Sequence, residues 1–290
     1  MFGRLVAEPA LRPSPKDSAI IRSRLTGLAW AGLAITVISG LVWLALETMS
    51  IVGMDFSEAL RSGAMWTVLD ETQFGFVAEV RAALVVLLAA CLLLDRFVLS
   101  RWLALLAALG LVGAIAWTGH AGSTLGELGD LHLAADVLHL AAASAWVGGL
   151  IGLLVLFAVG RCRPSAEWAP LQLGAIRRFS TIGLASVGAL IGSGIVNAWI
   201  LVGSLRALLV TDYGQLLLLK LAVFAAMVAF AAINRQRLTP QLALAAKGEA
   251  DGGELSALTR NTCIEFALAL AIFAIVGVLG TLHPAVHMVH

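Results

Sequence analysis

Residues 130–150 read DLHLAADVLHLAAASAWVGGL, an apolar run with His132, Asp136 and His139 set inside it. What two imidazoles and a carboxylate do there depends on the solvent around the run. The chain has 290 residues, 60% of them hydrophobic and 13% charged. A soluble domain carries about 25% charged residues, and the mean hydropathy of +0.95 points the same way. Several apolar runs are long enough to cross a hydrocarbon core about 30 Å thick. The composition therefore predicts an all-α, polytopic helix bundle in a membrane. The net charge of +1 gives no footprint for nucleic acid. Cys91, Cys162 and Cys263 are scattered, without CxxC spacing, and suggest neither a disulfide framework nor a zinc site.

Seven spans are expected, near 25–48, 77–98, 102–120, 131–158, 180–203, 214–236 and 262–282. A basic segment, 1–24, precedes them, and the bundle of 25–290 closes on a short His-containing tail. The first run is too long for a signal-peptide core and is read as a retained helix. Arg and Lys cluster at 4–24, 96–101, 161–178 and 235–260, and the connections between these clusters are acidic or nearly neutral. Basic and non-basic connections alternate throughout, so the positive-inside rule puts the N-terminus in the cytoplasm and the C-terminus outside. Residues 55–69 are expected to form an amphipathic helix at the outer interface, anchored by Trp66. Residues 239–259 read as a polar loop, and Gly188-x-x-x-Gly192 and Gly148-Gly149 as places of close helix approach.

This orientation puts all six histidines on the outer half: His120, His132, His139, His283, His287 and His290. Positions 132, 136 and 139 stand at i, i+4 and i+7 and share one helix face, which Trp146 continues inward. His139 is then about 10 Å deeper than His132. A polar face in a membrane belongs inside the bundle or along a wet cavity. Imidazole with carboxylate suits Cu, Zn, Fe or Ni, and serves a proton relay equally well. Placement of His132 and Asp136 at the water interface is the plain alternative. His120, in Trp117-Thr-Gly-His120-Ala-Gly122, is placed to face this site. Met49 and Met54 end the first span with soft thioethers that suit Cu(I). The tail holds His283 and His287 in a short imidazole-rich tract.

Lys220 lies too deep in its span to reach the outer surface easily and calls for a partner. Glu79, Arg81, Asp136 and Asn197 are the candidates, and the set reads either as a gate or as a helix-tying ion pair. Glu265 is expected to pair with a basic loop residue.

These residues together resemble the copper resistance protein D (CopD/PcoD) family. The resemblance rests on Trp117-Thr-Gly-His120-Ala-Gly122, on Leu131-His132 through Asp136 and His139 to Trp146-Val-Gly148-Gly149-Leu150, on Asn197-Ala-Trp199 through Asp212-Tyr213-Gly214 to Lys220-Leu221, and on Leu279-Gly280-Thr-Leu282. It implies a bacterial inner-membrane protein of copper homeostasis that imports copper and works with a periplasmic carrier of the CopC type. It carries a copper-ligand role onto Met49, Met54, His120, His132, His139 and His287. The family usually has eight spans, and the first is the one missing here. His283 stands where the family's closing motif has Pro.

Import leaves one difficulty, because no ladder of ligands continues inward from His139. A membrane redox protein is the alternative. Histidines on facing helices, His139 with His120 or His283, would hold a non-covalent haem b that reduces periplasmic copper. A docking subunit that binds copper without moving it is a third reading.

Overall fold

The computed structural model describes residues 15–119, 126–162, 168–245 and 253–287, all of them in helices, turns and short connections. The helices are α1 (Pro15–Val52), α2 (Phe56–Arg61), α3 (Ala64–Glu71), α4 (Gln73–Leu93), α5 (Val98–Gly113), α6 (Glu127–Cys162), α7 (Trp168–Val202), α8 (Leu205–Val210), α9 (Asp212–Ile233), α10 (Thr239–Ala245) and α11 (Glu254–Leu279). Short 3-10 turns follow α5 at Ala116–Thr118 and α11 at Ala285–His287. Among the described residues seven helices are long and apolar enough to cross a membrane: α1, α4, α5, α6, α7, α9 and α11. The seven expected spans are therefore present, and this is a multi-pass membrane protein.

The ends of the spans differ from the apolar pattern. The expected first span begins at residue 25, whereas α1 begins at Pro15, so part of the basic segment is helical. The amphipathic helix expected at 55–69 is two helices, α2 and α3, broken at Gly63, whose φ of 77° only glycine adopts readily. Asp55 caps α2 through the Glu58 N–H at 2.9 Å, a bond that holds its carboxyl below the usual carboxylate range. Trp66 on α3 is 71% exposed, as an interfacial anchor requires. The expected loop at 239–259 is helical at its start. The chain passes from α9 through a π-helical turn at Asn234–Leu238 into α10, and residues 246–252 lie outside the described set. Arg235 and Arg237 make that turn look like a loop in sequence.

The chain forms two compact units, residues 26–137 and residues 138–290 together with 1–25. In the first unit α4 packs along α5. The Arg81 guanidinium of α4 lies 5.7 Å from the Trp43 ring centre and donates to the Leu111 carbonyl at 3.3 Å. That carbonyl is one of the last of α5, where a cation is favoured. Trp43 meets Phe74 edge-on at 5.4 Å.

In the second unit the core is centred on α6. Trp146, Leu150, Leu153 and Phe157, at three- and four-residue spacing, face Ile176 and Phe179 of α7, Met227 of α9, Leu258 and Ala269 of α11, and Ile21. The close approach expected at the paired glycines is made by Gly149. A Cβ there would lie 2.1 Å from the Phe179 ring, while Gly148, Gly188 and Gly192 face open space.

Each unit contains the same elbow. A span ends at a glycine with positive φ, Gly53 at 67° or Gly203 at 72°. Short helices follow, then a threonine that caps the next span: Thr72 for α4 and Thr211 for α9. Each threonine hydroxyl donates back to a carbonyl of the short helix, Val68 at 2.6 Å or Ala207 at 2.7 Å. Each also accepts from a glycine N–H three residues on, Gly75 at 2.9 Å or Gly214 at 3.0 Å. Nine residues after each cap stands a cation, Arg81 or Lys220.

Candidate functional site

The helix that carries His132, Asp136 and His139 is continuous from Glu127 to Cys162, so the three share one face as expected. His132 is buried at 1% exposure, and Asp136 and His139 are half-buried. His132 and Asp136 fall in the first unit and His139 in the second. His132 is thus packed inside the protein rather than exposed on its surface.

His139 is held in a defined way. Its Nδ1 lies 3.0 Å from Ser193 Oγ of α7. The Ser193 hydroxyl spends its one proton on the Ala189 carbonyl, at 2.6 Å, and so can only accept from the ring. The ring is thus tied to α7 through Nδ1, and the Leu190 carbonyl lies beside the imidazole as a second partner. A metal-ligating histidine is oriented in this way, with the second nitrogen donating to an outer partner. Gly194, next to Ser193, lies against the ring edge: a Cβ there would make ordinary contact with His139 Cε1 at 3.5 Å. Lys220 of α9 is near enough for its charge to act on His139.

Met49 and Met54 are half-buried at the end of α1 and in the turn after it, in the first unit. Met54 Sδ accepts from the Ser62 hydroxyl at 3.9 Å, which ties it to the α2–α3 corner. His283 is exposed, and the backbone of His287 closes the last 3-10 turn. His120 and His290 lie outside the described residues. Among the described residues no three His, Cys, Asp or Glu side chains come together as a ready metal cluster. The candidate ligands are divided between the two units, with Met49, Met54, His132 and Asp136 in the first and His139, His283 and His287 in the second.

Of the candidate partners of Lys220, Glu79, Arg81 and Asp136 belong to the first unit, and Asn197 belongs with Lys220 to the second. Glu79 is exposed and Arg81 is engaged with Trp43 and Leu111 in the first unit. Asn197 is half-buried on α7.

Trp146 is buried at 2% exposure and does more than continue the stripe. Its ring meets Phe224 edge-on at 6.0 Å, and its indole N–H bonds the Glu265 carboxyl. Glu265 is buried too, at 2% exposure, and accepts from Asn234 Nδ2 at 2.6 Å. Asn234 Oδ1 in turn accepts from Asn261 Nδ2 at 3.0 Å. The expected pairing of Glu265 with a basic loop residue is thus replaced by two neutral N–H donors. The polarity of Asn234, Asn261 and Glu265 was visible in sequence. Their convergence was not, because it joins positions up to 31 residues apart on different spans.

A family model described as copper resistance protein D matches residues 173–279, and one described as copper resistance protein D-like, N-terminal domain, matches residues 1–130. The chain belongs to the copper resistance protein D family. The copper transport protein CutJ of Bacillus subtilis (strain 168) is 35% identical over 73% of this chain, which spans 39% of that longer protein. Copper resistance protein D of Pseudomonas syringae pv. tomato is 27% identical over 95% of this chain and 89% of its own length. The inner membrane protein YebZ of Escherichia coli (strain K12) is 27% identical over 98% of this chain and 91% of its own. No solved structure matches the chain. Membership of the copper resistance protein D family gives the chain a role in copper handling, and the histidine stripe is the part whose chemistry suits that role.

Proposed function

We propose that this protein carries copper inward across the cytoplasmic membrane. Copper would be captured by Met49, Met54 and the histidines on the periplasmic side and passed along the stripe of His132, Asp136 and His139. The observation that supports the reading is the His139–Ser193–Ala189 chain, which holds the imidazole in one orientation by its Nδ1. A row of separate ligands suits movement better than one closed cluster does, because transport needs sites that let the ion go. The basic connections face the cytoplasm in this reading, and the tail with His283 and His287 faces the periplasm. A periplasmic copper carrier of the CopC type would deliver the ion.

The test is a visible spectrum and a metal count on one detergent-purified sample. A colourless protein that retains copper is expected, with affinity at least about 100-fold lower in His139→Ala, about 2.8 kcal/mol. A Soret band with stoichiometric iron would replace import with the haem reading. Copper retained equally by wild type and His139→Ala would remove His139 from the path.

A further inference from the structure

The second unit encloses a cavity of 230 Å³ beneath Trp146, lined by residues of α6, α7, α9, the π-helical turn, α10 and α11. It lies at the end of these helices that leads to the basic connections, away from the histidines. Its polar lining consists of Glu265, Asn234, Thr262, Thr239, Ser180, Gln236 and Arg235, with the Trp146 indole at its head. Nothing in the copper reading uses it.

We propose that this cavity is a proton-binding site, with Glu265 the group that takes up and gives up the proton. This supplies the coupling ion for the transport proposed above and rests on that reading for its purpose; the site itself needs no copper.

The donor set decides the ligand. The polar lining around Glu265 offers a metal carboxylate, amide and hydroxyl oxygens but no thioether, thiolate or imidazole, which is poor chemistry for Cu(I). A hard cation would fit oxygen, but such an ion needs oxygens converging on it. Here the carboxyl is faced by N–H groups, from Asn234 and Trp146, which would repel a metal ion. Arg235 is the other charged side chain in the lining, and its guanidinium is fixed on Ser180 by Oγ at 2.7 Å and the carbonyl at 3.1 Å. A second positive charge in the same cavity argues further against a metal ion and leaves a proton as the fitting ligand. Among the described lining residues α6, α7 and α10 add no titratable group. Lys220 and His139 interact with each other outside it.

The amides give the proton a readout. The ionised carboxylate accepts from both Asn234 and Trp146 in charge-assisted bonds. The neutral acid carries an O–H and must donate through it. Rotation of the Asn234 amide offers Oδ1 to that O–H, which turns Nδ2 toward Asn261. Asn261 must then rotate as well, presenting its own oxygen. One proton on Glu265 therefore reverses a chain of two amides anchored in the π-helical turn and in α11. Turns of this type recur at functional positions inside helices.

The test is infrared difference spectroscopy of the full chain in phosphatidylethanolamine–phosphatidylglycerol vesicles, titrated without copper. A protonated-carboxyl band that titrates in wild type and is missing from Glu265→Gln is expected. Asn234→Leu, which keeps the carboxyl and removes the amide, should move the midpoint of that band by about one pH unit, tenfold in proton concentration. Gly183→Phe places a ring in open space at the cavity wall and should slow deuterium exchange of the carboxyl about tenfold. Identical difference spectra for wild type and Glu265→Gln overturn the proposal. An unchanged exchange rate in Gly183→Phe overturns the cavity as the route. Glu265→Asp, which retains a titrating band at a shifted frequency, covers the case in which the glutamine variant does not fold. Copper retention on the same samples reads the transport proposal separately.

Discussion

Gly214→Ala is expected to destabilise the protein by about 3 kcal/mol, the upper end of the cost of forcing atoms into a packed site. The added Cβ would lie 2.3 Å from the Leu208 carbonyl oxygen and 2.6 Å from that of Ala207. Both obstacles are backbone atoms. They cannot swing aside as a side-chain end does, because Thr211 ties Ala207 O and the Gly214 N–H into one tight corner. Gly75→Ala meets the same geometry in the other elbow, at 2.2 Å from the Leu69 oxygen. Gly148→Ala is the control: the Cβ enters open space, and the change should stay within about 0.5 kcal/mol. The measurement is the fraction of monodisperse protein left after heating in detergent. Equal curves for Gly214→Ala and Gly148→Ala would show that the elbow yields.

Ser193→Ala is the second large effect, and it separates orientation from ligation. The substitution leaves His139 in place but removes the hydroxyl that its Nδ1 meets at 3.0 Å. The ring is then free to turn. Loss of such an outer partner lowers metal affinity about 10- to 100-fold. Ser186→Ala, a change at another buried serine of α7, should leave affinity unchanged. Competition against a copper chelator reads both. Equal affinities in the two variants would mean that Ser193 only packs.

Most of the architecture could be read from the sequence, because a membrane span is announced by length and polarity alone. All seven spans were expected, and each appears at its place. Their ends were misjudged for one recurring reason: the residues that finish a helix are polar, and hydropathy counts them as loop. Thr72 and Thr211 cap α4 and α9 from outside the apolar runs, and Pro15 starts α1 within a basic segment. Arg235 and Arg237 hide a π turn that keeps the chain helical into α10. The face shared by His132, Asp136 and His139 could be read because helical periodicity is a local rule. The partner of each could not. Ser193 stands 54 residues from His139, and Asn234 stands 31 from Glu265, distances over which spacing carries no information.

The paired elbows mark a repeat in the order of the chain. Positive-φ glycine, short helix, capping threonine, glycine three residues on and a cation nine residues on occur in that order twice, each time with a span before and two after. The chain thus repeats one order of elements, a span, an elbow and two spans, on either side of α6 as the join. The two segments matched by the family models, 1–130 and 173–279, fall on either side of that join. The helix with His132, Asp136 and His139 is then the one span that has no twin. The histidine stripe therefore lies outside both copies of the elbow, on the helix that joins them.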